Sequence, residues 1–162
     1  MLKSIRIMLA IAVYHDYEIW QMDVKTTFLN KNLEEEVYMT QSKRFVSSGR
    51  ANQACKLNRS IYRLKQASRS WNIHFDETVK SFGFIKNMDK SCVYKKISGS
   101  AIVFLILYVD DILLIENDIP MLQSVKTWLS QKIFMKDLGE ASYILGIKIY
   151  RDGLVRTISL PA

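Results

Sequence analysis

Residues 104–115 read FLILYVDDILLI: two adjacent aspartates, Asp110 and Asp111, stand inside an otherwise apolar run. Short apolar runs rich in branched side chains form buried strands. A charge inside such a strand has no compensating partner, so the acidic pair has to leave the core. The stretch therefore predicts a strand over residues 101–109, a second over 112–115, and the two carboxylates on the turn between them, at a sheet edge or in a cleft. On residue type alone a polar hairpin turn is the competing reading, because Asp is common in turns.

Working outward, Ser98-Gly99-Ser100 separates the first of these strands from another over residues 92–97. Downstream, Asn117 or Asp118 can cap a helix over residues 120–133, with Pro120 in its first turn. Leu64, Trp71, Phe75, Val79 and Phe82 recur at helical spacing and predict a helix that Gly83 ends. Leu2, Ile5, Leu9, Ala12 and Val13 form a similar stripe and predict an amphipathic N-terminal helix in place of a secretory signal. A strand is expected over residues 19–24, a short helical turn over 26–30, a small hairpin over 34–39 and an exposed loop over 41–52, QSKRFVSSGRAN. Residues 142–150 read as one strand, 151–153 as a turn and 154–160 as its partner. Tight turns join the middle strands, so the pairing is expected to be antiparallel. The class is α+β: an antiparallel sheet with helices packed on one face.

With 162 residues, of which 49% are hydrophobic, the chain has enough apolar side chains for one core, and no linker or repeat interrupts it. Residues 1–162 are accordingly expected to form a single domain. The net charge of +7 favours a polyanionic partner. Cys55 and Cys92 are too few for a disulfide framework and lack metal-ligand spacing, and both read as core residues. The longest apolar run, residues 101–108, falls far short of the roughly 20 residues a membrane-spanning helix needs, so no membrane partner is expected.

Two carboxylates held close together repel unless a cation neutralises them. Mg²⁺ suits such a site, because it takes one or two carboxylates and completes its shell with water and phosphate oxygens. A third carboxylate, Asp23 in QMDVKTTFLN (residues 21–30), ends a predicted strand in the same manner as the acidic pair. Taken alone, Asp23 reads equally well as a helix N-cap. If folding unites the three, two metals could activate a 3′-hydroxyl and stabilise a leaving pyrophosphate, which is nucleotidyl transfer.

Six blocks carry a more specific signal, in order: QMDVKTTFLN (21–30), LEEEVYM (33–39), CKLNRSIYRLKQASRSW (55–71), LYVDDILLI (107–115), MKDLGEASYILGIKI (135–149) and RD (151–152). Together they resemble the reverse transcriptase of copia-type LTR retrotransposons, the RNA-directed DNA polymerase domain of a Pol polyprotein. The resemblance covers essentially the whole chain. It implies a partial polymerase palm with a ferredoxin-like core, its fingers largely missing. It implies two Mg²⁺ ions held by Asp23, Asp110, Asp111 and the backbone carbonyl of Val24. Phe28 would close the sugar pocket and exclude a 2′-hydroxyl, and Gln66 and Arg69 would touch the incoming nucleotide. Tyr108, Leu145 and Gly146 would hold the primer, and Lys136 would lie near the leaving phosphate. The implied partners are an RNA template, a DNA primer and dNTPs, with fingers, ribonuclease H and integrase supplied by the parent polyprotein. The implied location is a cytoplasmic virus-like particle or the nucleus, with no targeting signal in the sequence.

Several positions depart from that pattern. Arg63, Lys31 and Glu116 stand where glycine is expected, and Ser68 where proline is frequent. A fourth carboxylate at Glu116 is expected to disturb the metal site. These departures and the missing fingers predict weak or absent polymerisation by the isolated chain. The alternative function is a catalytically dead, transposon-derived remnant that still binds nucleic acid. Trp71 and Phe75 are expected to pack in the core and not to stack on bases as in single-strand binders. An unrelated ferredoxin-like RNA-binding module would need exposed aromatics in a basic RNP-like segment, of which none is evident.

Overall fold

The computed structural model describes residues 2–25, 33, 35–46, 53–61, 64–152 and 155–159. The chain divides into two compact units, Met1–Lys25 with Asp76–Ala162, and Thr26–Phe75.

In the first unit, helix α1 (Leu2–His15) leads into strand β1 (Glu18–Val24). The second unit contains β2 (Tyr38–Thr40), a 3₁₀ turn at Lys43–Phe45, β3 (Ala54–Lys56) and the first part of helix α2 (Lys65–Ser81). Among the described residues of the hairpin predicted over 34–39, none pairs with another. Tyr38, Met39 and Thr40 pair instead with Lys56, Cys55 and Ala54. Cys55 is exposed there and Cys92 is half-buried, which corrects the expectation that both are core residues. The helical turn expected over residues 26–30 lies outside the described residues. Trp71 and Phe75 are buried, their rings tilted 5.5 Å apart, as the helical stripe requires.

Past α2, which ends at Gly83 with φ +89°, come β4 (Ile85–Lys86), β5 (Val93–Ser98), β6 (Ala101–Tyr108), β7 (Asp111–Glu116), helix α3 (Ile119–Lys132) and β8 (Met135–Glu140). Asp118 caps α3 by accepting from the Met121 amide at 2.9 Å, with Pro120 in the first turn. The six strands form one sheet in the order β4-β5-β6-β7-β1-β8, antiparallel throughout. Strand β8 escaped prediction because MKDLGE has no apolar alternation and lies at an exposed sheet edge.

Residues 142–150 do not form one strand. Leu145 and Gly146, with φ +50° and +77°, turn the chain between β9 (Tyr143–Ile144) and β10 (Ile147–Asp152), and β10 pairs on its other side with β11 (Val155–Ser159). Two consecutive left-handed residues make the turn that matches hairpin twist, and glycine suits the second of them.

Register divides the six-stranded sheet into two faces. Ile19, Leu113, Ile115 and Ile106 pack with Ile5, Leu9 and Ala12 of α1 and with Ile144 and Ile147 of the small sheet. Trp20, on the opposite face because side chains alternate along β1, lies under α3, where the Lys126 ammonium is 3.8 Å from its ring centre. The helices therefore cover both faces, with α1 on one and α3 on the other. This corrects the expectation of helices on one face. The physical reason is that the central strands are apolar on both sides: Ile112, Leu113, Leu114 and Ile115 are all buried.

Among the described residues the charged side chains of Lys126 and Glu116 are buried, and that of Asp76 is partly so. Lys126 is buried and pairs with Asp137 of β8 at 2.5 Å, fastening α3 to the sheet edge. Burial would raise the pKa of Asp76, but hydrogen bonds from Lys80, Lys86 and the Tyr94 hydroxyl together hold it at about 2.

Candidate active site

The turn between β6 and β7 consists of Val109 and Asp110, flanked by the paired residues Tyr108 and Asp111. Val109 has φ +55°, a region in which a β-branched side chain is strained and glycine is at ease. Such strain persists only where the surrounding structure imposes it, and it concentrates at functional sites. Here the two long apolar strands of the hairpin supply the constraint.

Strand β1 lies beside β7, with Asp23 directly opposite Asp111. The Val24 amide donates to the Asp110 carbonyl at 2.9 Å, so the end of β1 is tied to the turn itself. On the other side of β1, Asp23 stands opposite Lys136 of β8. Tyr108, Asp111, Asp23 and Lys136 thus form one row across four adjacent strands. Folding unites the distant aspartate with the pair, and the reading of Asp23 as a helix N-cap gives way to a strand-end position.

None of the described ion pairs involves Asp23 or Asp111. Among the described residues no three Asp, Glu, His or Cys side chains lie close enough together to hold a metal ion between them. Asp23 and Asp111, opposed across β1 and β7, are of the ligand type that a hard divalent cation takes one or two of, leaving the rest of its shell to other oxygens. At opposed strand positions neighbouring Cβ atoms lie about 5 Å apart. Such an open arrangement leaves coordination positions for phosphate oxygens.

One hydrogen bond in this corner was not anticipated from the sequence. Gln21, two residues before Asp23 on the same face of β1, donates from Nε2 to Asp111 Oδ1 at 2.9 Å. The only sequence signal for it is the period of two that places Gln21 and Asp23 on one side.

The remaining expected site residues are distributed as follows. Tyr108 and Leu145 both pack at the margin of the core cluster that α1 covers, and Gly146 follows Leu145 in the tight turn. Gln66 and Arg69 are exposed near the start of α2 in the second unit, where the Gln66 amide is bonded to Glu35. Phe28, Lys31 and Arg63 lie outside the described residues. Glu116 is at the far end of β7 from Asp111, on the opposite face and fully buried. It cannot disturb the carboxylate corner, contrary to expectation. A separate cavity of about 190 Å³, lined by Val13, Tyr17, Ile19, Glu140 and Tyr150, opens at the other end of β1 and contains no carboxylate pair.

Residues 1–162 match the family described as reverse transcriptase (RNA-dependent DNA polymerase) over their full length. The chain belongs to that family. It is 44% identical over 160 residues to a retrovirus-related Pol polyprotein from transposon TNT 1-94 of Nicotiana tabacum, covering 98% of this chain and 12% of the relative. It is 38% identical over 148 residues to the Pol polyprotein from transposon RE1 of Arabidopsis thaliana, covering 91% of this chain and 10% of the relative. A putative transposon Ty5-1 protein of Saccharomyces cerevisiae is 32% identical over 131 residues, covering 81% of this chain and 42% of that protein. The resemblance to copia-type elements noted in the sequence therefore stands. This reverse transcriptase segment spans about a tenth of the length of the two plant polyproteins. No solved structure matches it.

Proposed function

We propose that the chain is the palm portion of an RNA-directed DNA polymerase, acting on a DNA primer, an RNA template and dNTPs within a Pol polyprotein. The observation that carries this reading is the opposition of Asp23 and Asp111 beside Asp110, at the open end of an antiparallel sheet. A ferredoxin-like core is supported by β1, α2, β6, β7, α3 and β8 occurring in that order, with β2 and β3 inserted before α2 and β4 and β5 after it, while β6-β7-β1-β8 are neighbours across the sheet. We read residues 1–162 as one such palm, which as part of a Pol polyprotein would work in a cytoplasmic particle or the nucleus. No described helix is long and apolar enough to cross a membrane.

Asp23, Asp110, Asp111 and the Val24 carbonyl would hold two Mg²⁺ ions. When bound, these lower the pKa of the primer 3′-hydroxyl and offset the charge of the departing pyrophosphate. The aspartates fix the position of the reacting phosphate, and positioning supplies much of the rate in phosphoryl transfer. Tyr108 borders the carboxylates and would support the primer end, with Leu145 and Gly146 presenting their turn to the primer backbone. Gln66 and Arg69 would contact the nucleotide, and Phe28 its sugar.

Primer extension on an RNA template with Mg²⁺, run beside the Asp110→Asn/Asp111→Asn variant, tests the reading. Extension by the natural chain alone supports it. Equal background from both, with nucleic-acid binding retained, would favour the catalytically dead binding remnant.

A further inference from the structure

We propose that Gln21 is a positioning residue for Asp111: its amide holds one carboxylate oxygen so that the other alone faces a divalent cation. The inference rests on the polymerase reading and extends it to a residue outside the carboxylate set. Gln21 shares a face of β1 with Asp23, and its Nε2 reaches diagonally across the sheet to Asp111 Oδ1 at 2.9 Å. Its direct neighbours on the adjoining strands are Leu113, which has no polar group, and Gly139, which has no side chain. Gly139 has φ +81° and lies beside the point where the β1–β8 register slips by a residue, so the strand flanking Gln21 on that side leaves room for the amide.

The chemistry of the donor matters. A lysine or arginine in this place would orient Asp111 but would cancel the negative charge that attracts a metal. A neutral amide orients it and leaves the charge intact. With one lone pair of Oδ1 engaged and the carboxylate held in place by the amide, Asp111 turns Oδ2 to a cation, which disfavours ligation by both oxygens. Mg²⁺ requires near-octahedral geometry, whereas Ca²⁺ accepts two oxygens of one carboxylate. Gln21 should therefore favour the smaller ion. Partners of this kind around metal sites typically change metal affinity by about 10- to 100-fold.

The test titrates MgCl₂ and, separately, CaCl₂ calorimetrically into the whole chain without nucleic acid. Gln21→Met keeps the side-chain length and removes the donor. It should weaken Mg²⁺ binding by about tenfold or more while Ca²⁺ changes less, with the metal-free unfolding midpoint preserved. Gln21→Leu, which removes the donor without adding a charge, should also lower the ratio of Mg²⁺ to Ca²⁺ affinity, and it serves if the methionine variant does not fold. An unchanged ratio in the folded variants overturns the proposal, since a merely structural glutamine would affect both ions alike. Mg²⁺ binding by the natural chain no tighter than by Asp110→Asn/Asp111→Asn overturns the polymerase reading, and the role of Gln21 with it. Carboxylate-dependent binding that Gln21→Met leaves intact overturns the role of Gln21 alone.

Discussion

Val109 bears the cost of the acidic turn. Its backbone is left-handed at φ +55° and its side chain is about half exposed, so little packing offsets the strain. A β-branched residue in such a conformation costs on the order of 1–3 kcal/mol. Val109→Gly should therefore stabilise the chain by about 1 kcal/mol, raising the unfolding midpoint by roughly 2–4 °C in a scanning calorimeter. A midpoint that falls would show that the valine side chain contributes contacts worth more than the strain. The position of Asp23, by contrast, is fixed by a distant segment: the end of β1 is tied to the turn through the bond from Val24 to Asp110.

Strand β7 has a different chemistry at each end. Asp111 stands at the open end of the strand, whereas Glu116, five residues on, is fully buried and has no cationic partner among the described residues, only the nearby Asp118 backbone amide favouring its charged form. Burial, reinforced by the neighbouring Asp118 carboxylate, pushes the Glu116 pKa up to about 8 from an ordinary value of 4.5. Below pH 4.5 both folded and unfolded chains hold the proton. Between pH 4.5 and about 8 only the folded chain holds it, so each pH unit removes about 1.4 kcal/mol of stability, and the loss levels off above pH 8. Glu116→Gln should abolish this component: its denaturant midpoint at pH 8 should exceed that of the natural chain by more than at pH 5. Parallel pH profiles for the two proteins would contradict the assignment. Strand β8 and helix α3 are joined by the same kind of buried charge, since Lys126 lies under the sheet with Asp137 as its counter-ion.

For the molecule as a whole the relevant quantity is the charge of +7 combined with an open carboxylate corner. A palm that grips a primer and template must neutralise backbone phosphates, so the affinity for an RNA–DNA hybrid should fall steeply with salt. A loss on the order of 10²-fold between 50 and 200 mM salt corresponds to about four phosphate contacts, and fluorescence anisotropy would read it. Binding indifferent to salt would argue against a nucleic-acid partner. The Asp110→Asn/Asp111→Asn variant should bind no more weakly than the natural chain, because removing two negative charges does not reduce attraction for a polyanion.

Residue order alone carried the hairpin and its acidic turn, the three helices and the family blocks, because apolar periodicity and turn chemistry act over a few neighbouring residues. The helix cap at Asp118 and the stop at Gly83 were legible for the same reason. Pairing was not legible. Nothing local in MKDLGE announces a strand, nothing in LEEEVYM names Ala54–Lys56 as a partner, and helices on both faces follow only from how the sheet is flanked. The opposition of Asp23 to Asp111 and the reach of Gln21 belong to the same class. Each depends on cross-strand register between segments far apart in sequence, and register is set by burial of the whole sheet and not by the residues that it brings together.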